Sequence, residues 1–338
     1  MRLSARSFLN HCRKRKTAIP LISLAGLVLA FIALNLIAYR QAWTMTHFVE
    51  GGQRTSAPET LGLLQKMKIL VVGVHIPRPT DDATPAAVAL PFETFRFGGQ
   101  THDDCEAWFI HAQHPNGLCI AFHAYVSSKS SLLKQAKAFH DLGYDVMLVD
   151  FRGSGGSRGN DTTHGYREAE DVAAAVDFAA HRWPDEPQVL YGQSMGAAAI
   201  LRPISDLDVH PSGAIIESSY DRLLSTAENR FHAMGLPAFP LAELLAFWGG
   251  RQFGYNAFGL NPAEYATRVH CPVLMMQGSL DRRVTNAQAR NLYDHITGPR
   301  QFELFENAAH CGFMQADPAR WNRLIAQFLA KVTAQALK

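Results

Sequence analysis

The chain has 338 residues, 47% of them hydrophobic and 18% charged, with a formal net charge of +2. That length and apolar content exclude a disordered chain and support one large α/β domain with additions. The near balance of charge leaves no electrostatic footprint for nucleic acid, which is not expected as a partner.

The basic residues are unevenly placed. Arg2, Arg6, Arg13, Lys14, Arg15 and Lys16 precede an uncharged apolar run over residues 17–39, and Arg40 follows it. A helix needs about 20 apolar residues to cross a hydrocarbon core. A cleaved signal peptide would have a shorter apolar stretch closed by small residues, and Ile37-Ala38-Tyr39-Arg40-Gln41 does not supply such a site. Residues 17–39 are therefore expected to be a single transmembrane anchor and residues 1–16 a basic cytoplasmic N-terminus. The positive-inside rule then puts all that follows on the extracytoplasmic side, periplasmic or extracellular. Cys12 would be cytoplasmic. Cys105, Cys119, Cys271 and Cys311 would lie outside, compatible with bridges but too widely spread for a disulfide framework. They contain no Cys-x-x-Cys pair, so zinc is not expected on them.

Residues 40–91 read as a connector. Its apolar stretch at 61–74 is interrupted by Gln65, Lys66 and Lys68 and is expected to pack on the domain or a membrane surface rather than cross. Pro77, Pro79, Pro85 and Pro91 mark an irregular approach to the domain at 92–338.

Residues 93–97 and 106–111 have the pattern of an opening strand pair. His102, His111 and His114 lack a third ligand at metal spacing and read as solvated loop histidines. The run 118–122 is wholly apolar, as in a strand buried on both faces of a parallel sheet. His123-Ala124-Tyr125 follows, then a helix with Leu132, Ala136, Phe139 and Leu142 on one face, closed by Gly143. A second such strand at 146–149 leads into a glycine-rich loop and a helix at 168–180. Gly153-Ser154-Gly155 has Arg158 where a dinucleotide-binding loop needs its third glycine, so a tight structural loop is expected.

The strand at 189–191 runs into Gly192-Gln193-Ser194-Met195-Gly196 and then into helix-forming alanines. Glycine on both sides of a serine suits a strand-to-helix turn where a Cβ would clash. Such a turn exposes the Ser194 hydroxyl and sets the Met195 N–H at the positive end of a helix, where an oxyanion is stabilised. Strands at 214–217, 273–276 and 302–305 complete the pattern. Residues 218–271 interrupt it with Phe231, Phe239, Phe247, Trp248, Phe253, Tyr255 and Phe258, the composition of an apolar helical insertion over a site mouth or of ordinary core. Alternating β and α units imply a mostly parallel sheet with helices on both faces and an insertion between the sixth and seventh strands.

A serine hydroxyl is a weak nucleophile and needs a base, which itself needs an orienting carboxylate. Residues just past the carboxyl ends of parallel strands converge on one edge. Ser194, Asp281 and His310 each fall there, in that chain order. Asp221, in a stretch resembling a pocket wall, is a rival acid. His123, His232, His270 and His295 are rival bases, and Cys311 reads as a small packed residue.

Order and elbow together resemble the α/β-hydrolase superfamily over roughly residues 93–338, and more narrowly its membrane-anchored monoacylglycerol-lipase, esterase and peptidase-like branches. The segments that carry the resemblance are Ala121-Phe122-His123-Ala124, Val149-Asp150-Phe151-Arg152-Gly153-Ser154-Gly155, the serine elbow, Gly278-Ser279-Leu280-Asp281 and Asn307-Ala308-Ala309-His310. The resemblance implies Ser194 as nucleophile, His310 as general base then acid, Asp281 as orienting carboxylate, and an oxyanion hole from the backbone N–H groups of Met195 and Tyr125. His123 matches the structural histidine of the oxyanion loop. Ala124 departs from the family's glycine, a change that bears on the hole. The implied activity is cofactor-free and metal-free hydrolysis of an ester, thioester or amide of a small-molecule, lipid-like or peptide acyl substrate. A catalytically silent scaffold, or a cofactor-free haloperoxidase or C–C hydrolase, is the alternative on the same fold.

Overall fold

The computed structural model describes residues 5–56, 60–98 and 104–336, with backbone only for residues 5–23 and 335–336. Arg2 and His102 lie outside the described residues, as do the side chains of Cys12 and of the basic residues 6–16.

One helix, α1 (Ala5–Thr46), contains the expected anchor and runs past residue 39 without a break. It is long and apolar enough to cross a membrane, and Leu24, Leu27, Leu29 and Phe31 are exposed along it. An apolar surface that faces no protein suits a hydrocarbon environment. Among its described side chains, those of the C-terminal turns pack on protein. Ala38 and Ala42 are buried, Trp248 Nε1 donates to Asn35 Oδ1 at 3.1 Å, and Gln252 Nε2 donates to the Tyr39 carbonyl at 2.9 Å. The second helix, α2 (Leu63–Val72), lies alongside and is too short to cross. Arg40 Nε donates to Val72 O at 2.8 Å and Gln41 Nε2 to Leu70 O at 2.7 Å, so these two polar side chains close the C-terminal carbonyls of α2.

The described residues form an eight-stranded sheet in the order β1-β2-β4-β3-β5-β6-β7-β8. Its strands are β1 (Glu93–Phe97), β2 (Cys105–Ile110), β3 (Leu118–Phe122), β4 (Asp145–Asp150), β5 (Gln188–Gln193), β6 (Gly213–Glu217), β7 (Val273–Gly278) and β8 (Arg300–Phe305). The pairs β1–β2 and β2–β4 are antiparallel, and the pairs β3–β4, β3–β5, β5–β6, β6–β7 and β7–β8 are parallel. Alternation along β3 shows why both faces are apolar. Leu118, Ile120 and Phe122 join one core with α4 (Glu168–Arg182), α5 (Met195–Asp206) and α9 (Asn286–His295). Cys119 and Ala121 join the other with α3 (Leu133–Asp141) and α11 (Pro318–Ala336), where Trp321 is buried. A short helix, α10 (Phe313–Ala316), precedes α11.

Between β6 and β7 lie α6 (Leu223–Met234), α7 (Leu241–Phe253) and α8 (Pro262–Ala266). Phe231, Ala242 and Leu245 form a small core with Ala42 of α1. The insertion's aromatics divide accordingly. Phe231 is buried and the Trp248 ring packs edge-on against Tyr39, whereas Phe239 and Phe247 are exposed.

The loop after β3 is held by a fully buried lysine. Lys129 Nζ contacts Asp81 Oδ2 at 2.5 Å and Glu106 Oε1 at 3.0 Å, and also Asp150 Oδ2. The three carboxylates are clustered tightly enough to hold a metal ion, and the ammonium sits among them. Burial works against the lysine charge, but the carboxylates outweigh it and hold its pKa above the ordinary value. The glycine-rich loop is the structural one the sequence implies. A Cβ on Gly155 would fall 1.9 Å from Asp150 Oδ2, and one on Gly156 would fall 1.9 Å from Glu106 Oε1. The four described cysteines, Cys105, Cys119, Cys271 and Cys311, are free thiols, so none of them forms a bridge.

Lys129→Met would leave three carboxylates around a neutral side chain. Urea unfolding of the detergent-solubilised protein is expected to show a loss of about 3–5 kcal/mol, and an unchanged midpoint would contradict the account of this cluster.

Candidate active site

The strand β5 ends at Gln193 and α5 begins at Met195, leaving Ser194 alone at the turn with φ 51° and ψ −109°. That backbone is strained for a residue with a Cβ, and the turn persists because its surroundings fix it. The Ser194 N–H donates to the Glu217 carbonyl at 2.8 Å. Neither flanking glycine tolerates a side chain. A Cβ on Gly192 would meet Ala197 N at 2.6 Å, and one on Gly196 would meet Phe122 O at 2.5 Å.

The carboxylate of Glu217, at the end of β6, lies fully buried beneath this turn. One oxygen accepts from Trp321 Nε1 at 2.7 Å and the other from Gln193 Nε2 at 3.0 Å. Burial pushes the Glu217 pKa up to about 7 against the opposing pull of these hydrogen bonds. Of the stretch read as pocket wall, Tyr220 does line the cavity, whereas Glu217, Ser218 and Ser219 are buried below it.

The three candidates from separate strand ends meet. His310 Nε2 lies 2.8 Å from Ser194 Oγ, and His310 Nδ1 lies 2.7 Å from Asp281 Oδ2. Asp281 follows β7 and has a fully buried carboxylate. Its Oδ1 accepts from the backbone of Arg283 at 2.8 Å and of Val284 at 3.0 Å. Burial raises its pKa, but the His310 contact and these amides prevail and hold it below the ordinary value. An ionised Asp281 accepts the Nδ1 proton, which leaves Nε2 as the basic nitrogen facing the serine.

The rivals are engaged elsewhere. Asp221 accepts from Asn291 Nδ2 at 3.0 Å and from the Arg222 amide at 2.8 Å. His295 Nδ1 donates to Asn291 O at 2.7 Å, His270 Nδ1 pairs with Thr297 Oγ1 at 3.1 Å, and His232 is exposed on α6. His123 is fully buried. Its Nε2 accepts from the Phe151 amide at 3.1 Å, which puts the proton on Nδ1 for donation to Ala124 O at 2.8 Å. Burial pushes the Cys311 thiol pKa well up.

Ser194 and His310 open into a cavity of about 680 Å³ that Ala124, Tyr125 and Met195 also line. The Met195 amide is the first of α5 and has no acceptor within the helix. Ala124 does not occupy the special backbone position that its place in the motif suggests. The left-handed residue of this loop is Val126, at φ 55°, so a methyl group at position 124 meets no conformational penalty of that kind. The Tyr125 hydroxyl donates to the Met45 carbonyl of α1 at 2.5 Å, tying the loop to the last turn of the long helix. His164 also lines the cavity, with its ring 4.5 Å from that of Tyr125. Neither the Tyr125 tether nor the positions of Glu217 and His164 has a local sequence signal.

A family profile described as serine aminopeptidase, S33, matches residues 113–223. The Bacillus subtilis protein YqkD is 24% identical over 218 residues, covering 64% of this chain and 71% of its own. The lysophosphatidylserine lipase ABHD12 of Rattus norvegicus is 23% identical over 217 residues, 60% of this chain and 51% of its own. Among solved structures, the Pyrococcus furiosus esterase Pf2001 superposes over 76% of this chain and 97% of its own with a TM-score of 0.63 and 24% identity. A puromycin-hydrolyzing peptidase of Mycobacterium tuberculosis does so over 75% and 42%, with a TM-score of 0.56 and 19% identity. The fold is that of the α/β-hydrolases.

Burial pushes the His164 pKa down to about 4, against the nearby Glu168 and with the help of Arg230. In the unfolded chain this histidine takes up a proton below about 6.5. Its contribution to stability is therefore complete above that pH and lost as pH falls towards 4. Glu217, with its raised pKa, acts in the opposite sense, so the comparison must be with a variant. Between pH 7 and pH 5 the parent protein is expected to lose about 1–2 kcal/mol more unfolding free energy than His164→Asn. Equal losses in denaturant titrations would refute this assignment.

Proposed function

We propose that this chain, an α/β-hydrolase of the serine type, cleaves a carboxylic ester, thioester or amide through an acyl-enzyme on Ser194, while α1 anchors it in a membrane. The observation that carries the proposal is the pair of contacts made by His310, with Nε2 2.8 Å from Ser194 Oγ and Nδ1 2.7 Å from Asp281 Oδ2.

His310 Nε2 takes the hydroxyl proton as Ser194 Oγ attacks the acyl carbon, and Asp281 stabilises the imidazolium that forms. The carbonyl oxygen becomes an oxyanion facing the amides of Met195 and Tyr125, where positioned donors and the α5 N-terminus favour the negative charge. His310 then protonates the leaving group. Water, deprotonated by the same nitrogen, hydrolyses the acyl-enzyme and returns the serine. No step in this sequence calls for a metal or organic cofactor.

Residues 218–271 act as a cap over the cavity, with α6 and α7 packed on the end of α1. The basic residues ahead of the apolar run favour a cytoplasmic N-terminus and an extracytoplasmic catalytic domain. The similar proteins include an esterase, a peptidase and a lysophosphatidylserine lipase, which supports acyl transfer to water as the common chemistry. A cavity walled partly by the end of an anchor helix favours lipid-like acyl groups over peptides.

A fluorophosphonate probe is expected to label the detergent-solubilised protein, and labelling should vanish in Ser194→Ala. Asp281→Asn should lower kcat by about 10³–10⁴-fold while the protein stays folded. A folded parent protein that takes up no probe would overturn the proposal. The Tyr125 tether gives a separate expectation. Tyr125→Phe removes a hydrogen bond worth about 1 kcal/mol, so kcat should fall about fivefold with KM for a short ester unchanged. A change confined to KM would place Tyr125 in substrate binding rather than in positioning the loop.

A further inference from the structure

The loop that carries His310 is fastened on both sides of the histidine. Ahead of it, the Asn307 amide donates to Ser279 Oγ at 3.0 Å and the Leu280 amide donates to the Ala308 carbonyl at 2.9 Å. This side is tied to the residues just before Asp281. Behind the histidine, the Cys311 amide donates to Ser218 Oγ at 3.1 Å, and the Ser218 hydroxyl also hydrogen-bonds the Cys311 thiol. Ser218 directly follows β6 and is fully buried, and its own amide donates to the Met276 carbonyl of β7 at 3.0 Å. Its hydroxyl is therefore a fixed point of the sheet.

Three residues at this junction hold left-handed backbones although each carries a Cβ: Ser194 at φ 51°, Ser218 at φ 52° and Cys311 at φ 61°. Such torsions cost energy and persist only where the surroundings fix them. Two hydrogen bonds join the three. The Glu217 carbonyl takes the Ser194 amide proton at 2.8 Å, and the hydroxyl of the next residue, Ser218, takes the Cys311 amide proton. Nucleophile and base, 116 residues apart in the chain, are thus both referenced to one dipeptide at the end of β6.

Asp281 holds the His310 ring through Nδ1, but it does not hold the backbone that follows the histidine. A left-handed Cys311 deprived of its acceptor relaxes towards an ordinary torsion. That change turns the peptide joining it to His310 and carries Nε2 away from Ser194 Oγ. We propose that Ser218 is a positioning residue for the general base, its hydroxyl holding Cys311 so that His310 meets Ser194 before any substrate arrives. This rests on the serine-hydrolase reading. Alignment set in advance in this way contributes to the chemical step rather than to substrate binding.

The test uses the full chain in a non-ionic detergent with p-nitrophenyl butyrate. In Ser218→Ala, kcat is expected to fall about tenfold while KM stays within about twofold of the parent value. The rate of fluorophosphonate labelling should fall in step, which gives the same comparison without a turnover substrate. Because Ser218 acts through His310, the two losses should not add. Adding Ser218→Ala to His310→Ala is expected to change the residual rate by less than about twofold, whereas a general loosening of the site lowers that rate by the same factor as in the parent. Ser218→Cys is close in shape and offers a weaker acceptor. It carries the same comparisons should Ser218→Ala fail to fold, with an expected fall in kcat of about threefold. An unchanged kcat in the folded variant, a change confined to KM, or losses that add in the His310→Ala background overturns the proposal and leaves the nucleophile standing. A parent protein that neither takes up the probe nor hydrolyses the ester fails one step earlier, at the hydrolase reading itself.

Discussion

The site depends on the close approach at the serine turn. Ser194 holds a left-handed backbone because β6 lies directly beneath it, where the Glu217 carbonyl takes its amide proton, and because Gly192 and Gly196 let strand and helix pass with no room for a methyl group. A residue in such a conformation is held by its neighbours rather than by its own preference. Those neighbours belong to the most buried part of the sheet, with the Glu217 carboxylate bracketed by Gln193 and Trp321. Core packing and the aim of the serine hydroxyl are therefore one problem with one solution.

Around that turn the molecule collects charges in two different ways. Behind the loop that follows β3, Lys129 is surrounded by three carboxylates and fully removed from water, an arrangement that fixes position. In front of the loop, the cavity carries arginines without lining carboxylates among the described residues. A buried, compensated charge acts as structure. The same loop, residues 123–129, separates the two.

Much of this was legible in the sequence because it is written locally. Wholly apolar runs such as Leu118–Phe122 announce strands of a parallel sheet, and the paired glycines around Ser194 announce the turn. Asp281 and His310 follow strands, so the topology brings them to the edge that carries the serine. What stayed hidden depends on partners distant in sequence. Nothing near Lys129 names Asp81 or Asp150, and nothing near Tyr125 names Met45. Reading residue 39 as the end of the anchor followed the loss of apolar character at Arg40 and Gln41. In the fold, those polar side chains are satisfied by the carbonyls of α2 and the helix continues to Thr46. Ala124 drew notice through its place in a motif, while the backbone assigns the unusual torsion to Val126, two residues on.

The unbroken course of α1 has a mechanical consequence. A continuous helix transmits tilt along its length, and its last turn carries both a cavity wall, at Ala42 and Met45, and the carbonyl that receives the Tyr125 hydroxyl. With α1 in a bilayer as proposed, hydrophobic mismatch between the apolar stretch and the lipid thickness is relieved partly by tilting. Lipid thickness then enters the geometry of the loop that carries Tyr125 as a lever arm enters a balance, and the surrounding membrane becomes part of what sets the cavity.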